Sequence, residues 1–336
     1  MPTKTATALT GVGAFAIAMA ALTPTVAAPA LKKAPLKQDL TTHSRSSAQI
    51  LNAATGELEP ATVDLTRHVF TQRGSNGKAL GNGSTAVYHE VLSLARVGAD
   101  GSVTTLDARG RYIGLKADEF TIAFNRSTGA GEPGVSGETY HSNAQTVKFP
   151  FGTKKGTYSY FDQSSGKGFP VSYTRTTKVD GLTVYEFKGT VPEQHLGQYG
   201  VLPNTDTIYS NKGRTVLVEP TTGEIVSSTT APQVSIKFAD GSVKQALLID
   251  DLVPTAATIK NRVDQAKTDK AMLGILGIAP YALGGLGVLL IGLAFGLGRR
   301  KAAQAEAPAP ADRPDVSGVL PAPRNEPAVD PAKSRT

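Results

Sequence analysis

Two long uncharged runs bracket a chain that otherwise alternates short apolar stretches with turn residues. Residues 7 to 30 carry no charge, and Gly11 to Leu22 is apolar apart from its glycines, with Lys4 just ahead of it. That layout predicts an N-terminal signal anchor over residues 1–30. A cleaved signal peptide is the alternative, since Ala28-Pro29-Ala30 places small residues at a cleavage position. Residues 272 to 298 run without a charge and end in Arg299-Arg300-Lys301. An apolar stretch of that length predicts a transmembrane helix, with the basic cluster as a cytoplasmic stop. Pro280 is expected to kink or end a first helical piece, because it removes one backbone donor and crowds the preceding turn. Gly292 and Gly296 form a GxxxG pair, the spacing that lets a second helix approach closely, and so mark a candidate surface for homo-oligomer contact.

Between these runs the period is two. Ala86 to Leu94, Thr121 to Phe124, Thr183 to Phe187, Thr215 to Val218 and Val234 to Phe238 read as strands bounded by turn residues. Asp100-Gly101, Asp180-Gly181 and Asp240-Gly241 supply the positive φ of tight hairpins. Ala54-Thr55-Gly56, Ser127-Thr128-Gly129, Ser164-Ser165-Gly166 and Thr221-Thr222-Gly223 suit longer hairpin loops with Gly in the left-handed position. The expected fold is therefore mainly β, an antiparallel hairpin-rich sheet with a sandwich or barrel-like form, covering residues 31–253 and flanked by two transmembrane helices. From Pro254 the period lengthens, with Ile259, Val263 and Ala266 on one face, predicting a stalk helix over 254–271 that leads into the membrane span at 272–298. Residues 299–336, rich in Ala and Pro, predict a disordered cytoplasmic tail. The β domain is placed outside the membrane.

Composition narrows the chemistry. The chain has no Cys and no Trp, which removes disulfides, thiolate nucleophiles and cysteine metal sites. A net charge of +7 favours anionic partners. The basic residues are spread too thinly for nucleic-acid recognition, with no basic helix and no aromatic-plus-basic strand pattern. Lys32, Lys33 and Lys37, with Lys260, Arg262, Lys267 and Lys270, lie beside the predicted spans and are the candidate contacts to anionic lipid. Gly129 to Gly134 matches GxGxxG, but Pro133 permits no helix start there, so the match reads as a mobile loop. Ser164 to Lys167 satisfies SxxK without its partner motifs and reads as a turn. His43, His68, His89, His141 and His195 show no metal spacing, and Asp250-Asp251 would point to opposite faces of a strand. No catalytic, cofactor or metal residue emerges, and no cofactor is expected.

Several blocks together carry a family resemblance: Lys148-Phe149-Pro150-Phe151-Gly152-Thr153-Lys154-Lys155 leading to Tyr160-Phe161-Asp162, Val179 to Phe187, Tyr209-Ser210-Asn211, and Val218-Glu219-Pro220-Thr221-Thr222-Gly223-Glu224-Ile225-Val226. With the N-terminal apolar segment, they resemble the actinobacterial envelope family labelled porin PorA, over roughly residues 8 to 300. The resemblance implies a membrane protein with a large extracytoplasmic domain between two helices. It also implies a link to envelope biogenesis, including maturation of lipomannan-type lipoglycans, with a porin label carried by name. The resulting expectation is a non-enzymatic envelope protein that handles a lipid or glycolipid or engages a membrane glycosyltransferase. A porin is the alternative, and an unrecognised hydrolase or transferase the second.

Overall fold

The computed structural model describes residues 4–104, 115–135 and 142–305. Helix α1 (Lys4–Leu22) passes through a π-helical turn (Thr23–Ala27) into the short α2 (Ala28–Leu31). Eleven strands follow among the described residues: β1 (Asp39–Leu51), β2 (Leu58–Thr71), β3 (Thr85–Arg96), β4 (Lys116–Asn125), β5 (Thr157–Asp162), β6 (Lys167–Val179), β7 (Leu182–His195), β8 (Asp206–Glu219), β9 (Glu224–Lys237), β10 (Val243–Ile249) and β11 (Val253–Pro254). Helix α3 (Ala256–Ala305) completes the order.

The sheet is antiparallel, in the order β4-β3-β2-β1-β10-β9-β8-β7-β6-β5, with β11 paired to β1. It is one curled sheet, a half-barrel and not a sandwich. Two hairpin meanders, β1 to β4 and β5 to β10, meet where Ala48, Gln49 and Ile50 of β1 face Ile249, Leu248 and Leu247 of β10. The predicted turn residues sit at strand ends. Asp180 (φ +45°) and Gly181 (φ +79°) join β6 to β7, both in the left-handed region that a two-residue hairpin matching the strand twist requires.

Residues 142 to 153 form a strap across the sheet's two edges. On one side the Gly131 amide donates to Ala144 O (2.8 Å); on the other, Gln145 N donates to Ser159 O (2.8 Å) and Phe161 N to Gln145 O (2.9 Å). Phe120 and Ile122 of β4 and Phe161 of β5 pack with Ala144 of the strap. The GxGxxG segment is therefore held in place, contrary to the mobile loop expected of it: a Cβ at Gly131 would lie 1.8 Å from Ser142 O. Farther along, Phe149 N donates to Gly223 O (2.7 Å), and the buried Phe149 ring meets Tyr158 and Phe187 at 5.1 Å each. Aromatic pairs at such distances contribute roughly 0.5–1.5 kcal/mol each beyond their buried area.

The β unit spans Ala18–Gly284 and includes the first half of α3. Val263 and Ala266 are buried against Leu182, Val184 and Val226, with Ile259 beside them, as the i, i+4, i+7 pattern predicted. Pro254 ends β11, opposite Ser44, and the helix starts at Ala256, where Thr255 Oγ1 accepts from Thr258 N (3.3 Å). Pro280 does not end the helix, which continues through it to Ala305. The tail expected over 299–336 lies outside the described residues beyond Ala305.

The described residues up to Ile17 and those from Gly285 to Ala305 belong to a second compact unit. Within it Gly13 and Gly287 bring two helix backbones together: a Cβ on Gly13 would lie 2.8 Å from Gly287 O, and one on Gly287 2.7 Å from Gly13 O. Lys4–Ala30 and Ala256–Leu297 are both long and apolar enough to cross a membrane.

Candidate functional site

Curling leaves a cavity of about 820 Å³ on the concave side of the sheet, within the range of ligand pockets. The cross-strand register decides its chemistry. Ser44 faces Leu65, Leu65 faces Leu94, and Leu94 faces Lys116, so one row of side chains crosses four strands on the same face. Leu65, Leu92, Leu94, Val234, Leu247 and Ile249 make the apolar part of the wall.

Set into this wall are the guanidinium groups of Arg67 and Arg214, the first at a position where the alternation of β2 is otherwise apolar. Arg67 lies on the inner row of β2 between Leu65 and Val69 and forms a two-point pair with the fully buried Glu90, Nε to Oε1 and Nη2 to Oε2, both 2.7 Å. Burial works against the Arg67 charge, but Glu90 outweighs it and holds the guanidinium above its ordinary pKa. Arg214, 2% exposed, reaches Phe161 O through Nη2 (2.6 Å) and stacks over Tyr160. Beside it, the Tyr209 hydroxyl donates to Asp162 Oδ2 (2.9 Å), and burial followed by the Asp162 charge raises the phenol's pKa. Asp162 also accepts from Ser165 N and Oγ, which makes the SxxK stretch the β5–β6 turn expected of it.

A third buried cation sits on the strap. Lys148 Nζ lies 3.1 Å from the centroid of the Phe151 ring, and burial pushes its amine down to about 7, with Glu224 and Asp269 pulling the other way. Among the described residues no three His, Asp or Glu side chains gather as metal ligands.

The residues singled out from sequence fall elsewhere. Three of the cations beside the spans dock α3 on the sheet: Arg262 pairs with Glu224 (2.6 Å), Lys270 with Glu219 (3.0 Å), and Lys267 donates to Asp180 O (2.7 Å); Lys260 pairs within the helix with Asp264, one turn on (2.6 Å). The structure thus gives each an internal partner, and Arg262 alone of them also borders the cavity. Lys32 and Lys37 are exposed and Lys33 is half-buried, on the segment that leads into β1. Around Gly292 and Gly296 an added Cβ would meet open space, so neither takes part in the Gly13–Gly287 approach. The cavity cations escaped sequence reading because each is one charge among several on its strand and belongs to no recognisable motif. The available signal was an Arg on an otherwise apolar alternation, Val63-x-Leu65-x-Arg67-x-Val69.

Comparison with known proteins gives one family. A family model described as "Porin PorA" matches residues 5–295. A curated protein named "Porin PorA" from Corynebacterium amycolatum is 24% identical over 230 residues, covering 52% of this chain and 58% of that relative. The match thus spans little more than half the length of the relative.

Proposed function

The chain belongs to the porin PorA family, and from that premise we propose that it is a non-enzymatic envelope membrane protein whose β domain, held outside the membrane, takes an amphipathic lipid or glycolipid into the cavity of its curled sheet. The observation that carries this reading is the distribution of polarity. The concave face combines Leu, Val and Ile side chains with a polar set that includes Arg67, Arg214, Asp162 and Asn211, whereas β1 exposes Thr41, Arg45 and Gln49 and β6 exposes Ser172, Thr174, Arg175 and Lys178. A membrane-spanning β-barrel needs the opposite arrangement, an apolar band outside. A lumen with both apolar and polar wall, inside a shell with polar outer positions, suits an amphipathic ligand whose chains must be shielded from water.

The test is direct. Full-length chain purified in a neutral sugar detergent, washed and extracted with organic solvent, should yield about one lipid per chain by mass spectrometry. A fluorescent fatty acid should also be taken up and displaced competitively. Absence of both sinks the reading.

A second reading is channel formation, favoured by the printed description of the family and of the relative, which support it more than they support lipoglycan maturation, on which they are silent. The polar exposed strand faces argue that such a pore would be built from assembled apolar helices and not from the sheet. Discrete conductance in planar bilayers, lost on Gly292→Leu, would support that reading; silent bilayers at saturating protein would overturn it.

A further inference from the structure

We propose that Arg214 is an anion-binding point of the cavity and receives the phosphate of an amphipathic ligand whose chains occupy the apolar wall. This rests on the cavity reading above and specifies what enters it.

Arg214 differs from the other guanidinium groups on the cavity, of which Arg262 pairs with Glu224 at 2.6 Å. Arg67 is matched by Glu90 at both ends of its fork. Arg214 is not so matched. Its Nε is buried with no hydrogen-bond partner, Nη1 reaches Tyr160 O only at 3.5 Å, and the nearest carboxylate, Asp162, is 3.9 Å away. Asp162 is already committed to Tyr209, Ser165 N and Ser165 Oγ. A buried charge without a close counter-charge costs free energy unless a ligand completes it.

The backbone shows how Arg214 comes to be there. Tyr209 and Asn211 occupy the inner row of β8 at odd positions, and the pairings to β7 and β9 both slip between Asn211 and Arg214. After the slip the inner row continues at even positions, Arg214, Val216 and Val218. A bulge of this kind re-aims one side chain, and here it turns a permanent cation toward the lumen where alternation would have sent it outward. Asn211 and Tyr209, also on the cavity wall, offer further polar atoms beside it. Guanidinium geometry matches the oxygens of phosphate, and the neighbouring Leu, Val and Ile residues are of no use to an inorganic ion, so the phosphate is that of a lipid headgroup.

The experiment uses the full chain in neutral detergent and measures binding of short-chain phosphatidic acid, the matched diacylglycerol and inorganic phosphate, for the natural sequence, Arg214→Gln, Arg214→Lys and Arg67→Gln. The natural protein should bind phosphatidic acid at least tenfold more tightly than diacylglycerol. Arg214→Gln should remove that preference while keeping diacylglycerol binding, and Arg214→Lys should retain part of it. Equal binding of the two lipids by the natural protein overturns this proposal while leaving the cavity reading intact, and needs no variant to fold. A preference that survives in Arg214→Gln, or one lost only in Arg67→Gln, overturns it as well. Inorganic phosphate binding as tightly as phosphatidic acid overturns the lipid source. Binding of neither lipid overturns both this proposal and the cavity reading.

Discussion

Lys148 is a cation lodged between an aromatic ring and the protein interior, so its burial makes stability depend on pH. Below about pH 7 the amine is protonated in the folded and unfolded chain alike, and the cost of burying its charge is present in full. Above that pH the folded chain releases the proton, whereas the unfolded chain keeps it until about 10.5. Stability should therefore rise as pH increases from 7 toward 10. Lys148→Met should flatten that slope and raise Tm at pH 6 by roughly 3 °C or more, as followed by thermal unfolding of the detergent-solubilised chain. A second residue-scale contrast involves two glycines with similar left-handed backbones, Gly241 (φ +84°) and Gly223 (φ +75°). A Cβ at Gly241 meets open space, so Gly241→Ala should cost only the backbone strain, about 1–2 kcal/mol. At Gly223 the Cβ would sit 2.0 Å from Phe149 O, so Gly223→Ala should cost about 2 kcal/mol more in denaturant titrations, because the strap must move.

At the scale of elements, the first turns of α3 are held to the sheet by two kinds of contact: Val263 and Ala266 on the apolar side, and Arg262–Glu224 and Lys270–Glu219 at the β8–β9 hairpin. Val263→Asp places a carboxylate at a position 1% exposed. It should accelerate amide exchange over residues 256–270 by at least tenfold while leaving β5 and β6 protected. This helix was readable in advance because its contacts are written in a local period, Ile259, Val263 and Ala266. The hairpin tips were equally legible, since positive φ selects Gly and Asp within a few residues. What escaped was non-local. Whether ten strands close into a half-barrel or split into two layers depends on β1 meeting β10 across some 200 residues of sequence, and no short pattern records that choice. The cavity escaped for the same reason, and Arg214 doubly so, because a bulge reverses its face.

At the scale of the whole molecule, α3 has 50 residues and a length of roughly 75 Å, against a hydrocarbon layer of about 30 Å. In the proposed topology a large part of the helix therefore lies outside the lipid core, including the charged residues from Lys260 to Lys270. The proposed orientation has a simple check because the chain lacks native cysteine. Lys178→Cys should react with a membrane-impermeant maleimide in intact cells, and Ala302→Cys only after lysis; the reverse pattern would invert the topology.

The seam between β1 and β10 has a further consequence, for the order of assembly. Each meander is built from neighbouring hairpins and can form as soon as its own residues are available, but Ala48, Gln49 and Ile50 must wait for Leu247, Leu248 and Ile249, which are synthesised about 200 residues later. During that interval the leucines of β2 and β3 that will line the lumen have no opposite wall, and the flank of β1 stays unpaired. Contacts of such long sequence separation form slowly and leave a chain prone to sticking to its neighbours. The same seam that gives the finished domain its hollow interior should thus set its refolding rate and make the incomplete chain a natural client for a holding chaperone.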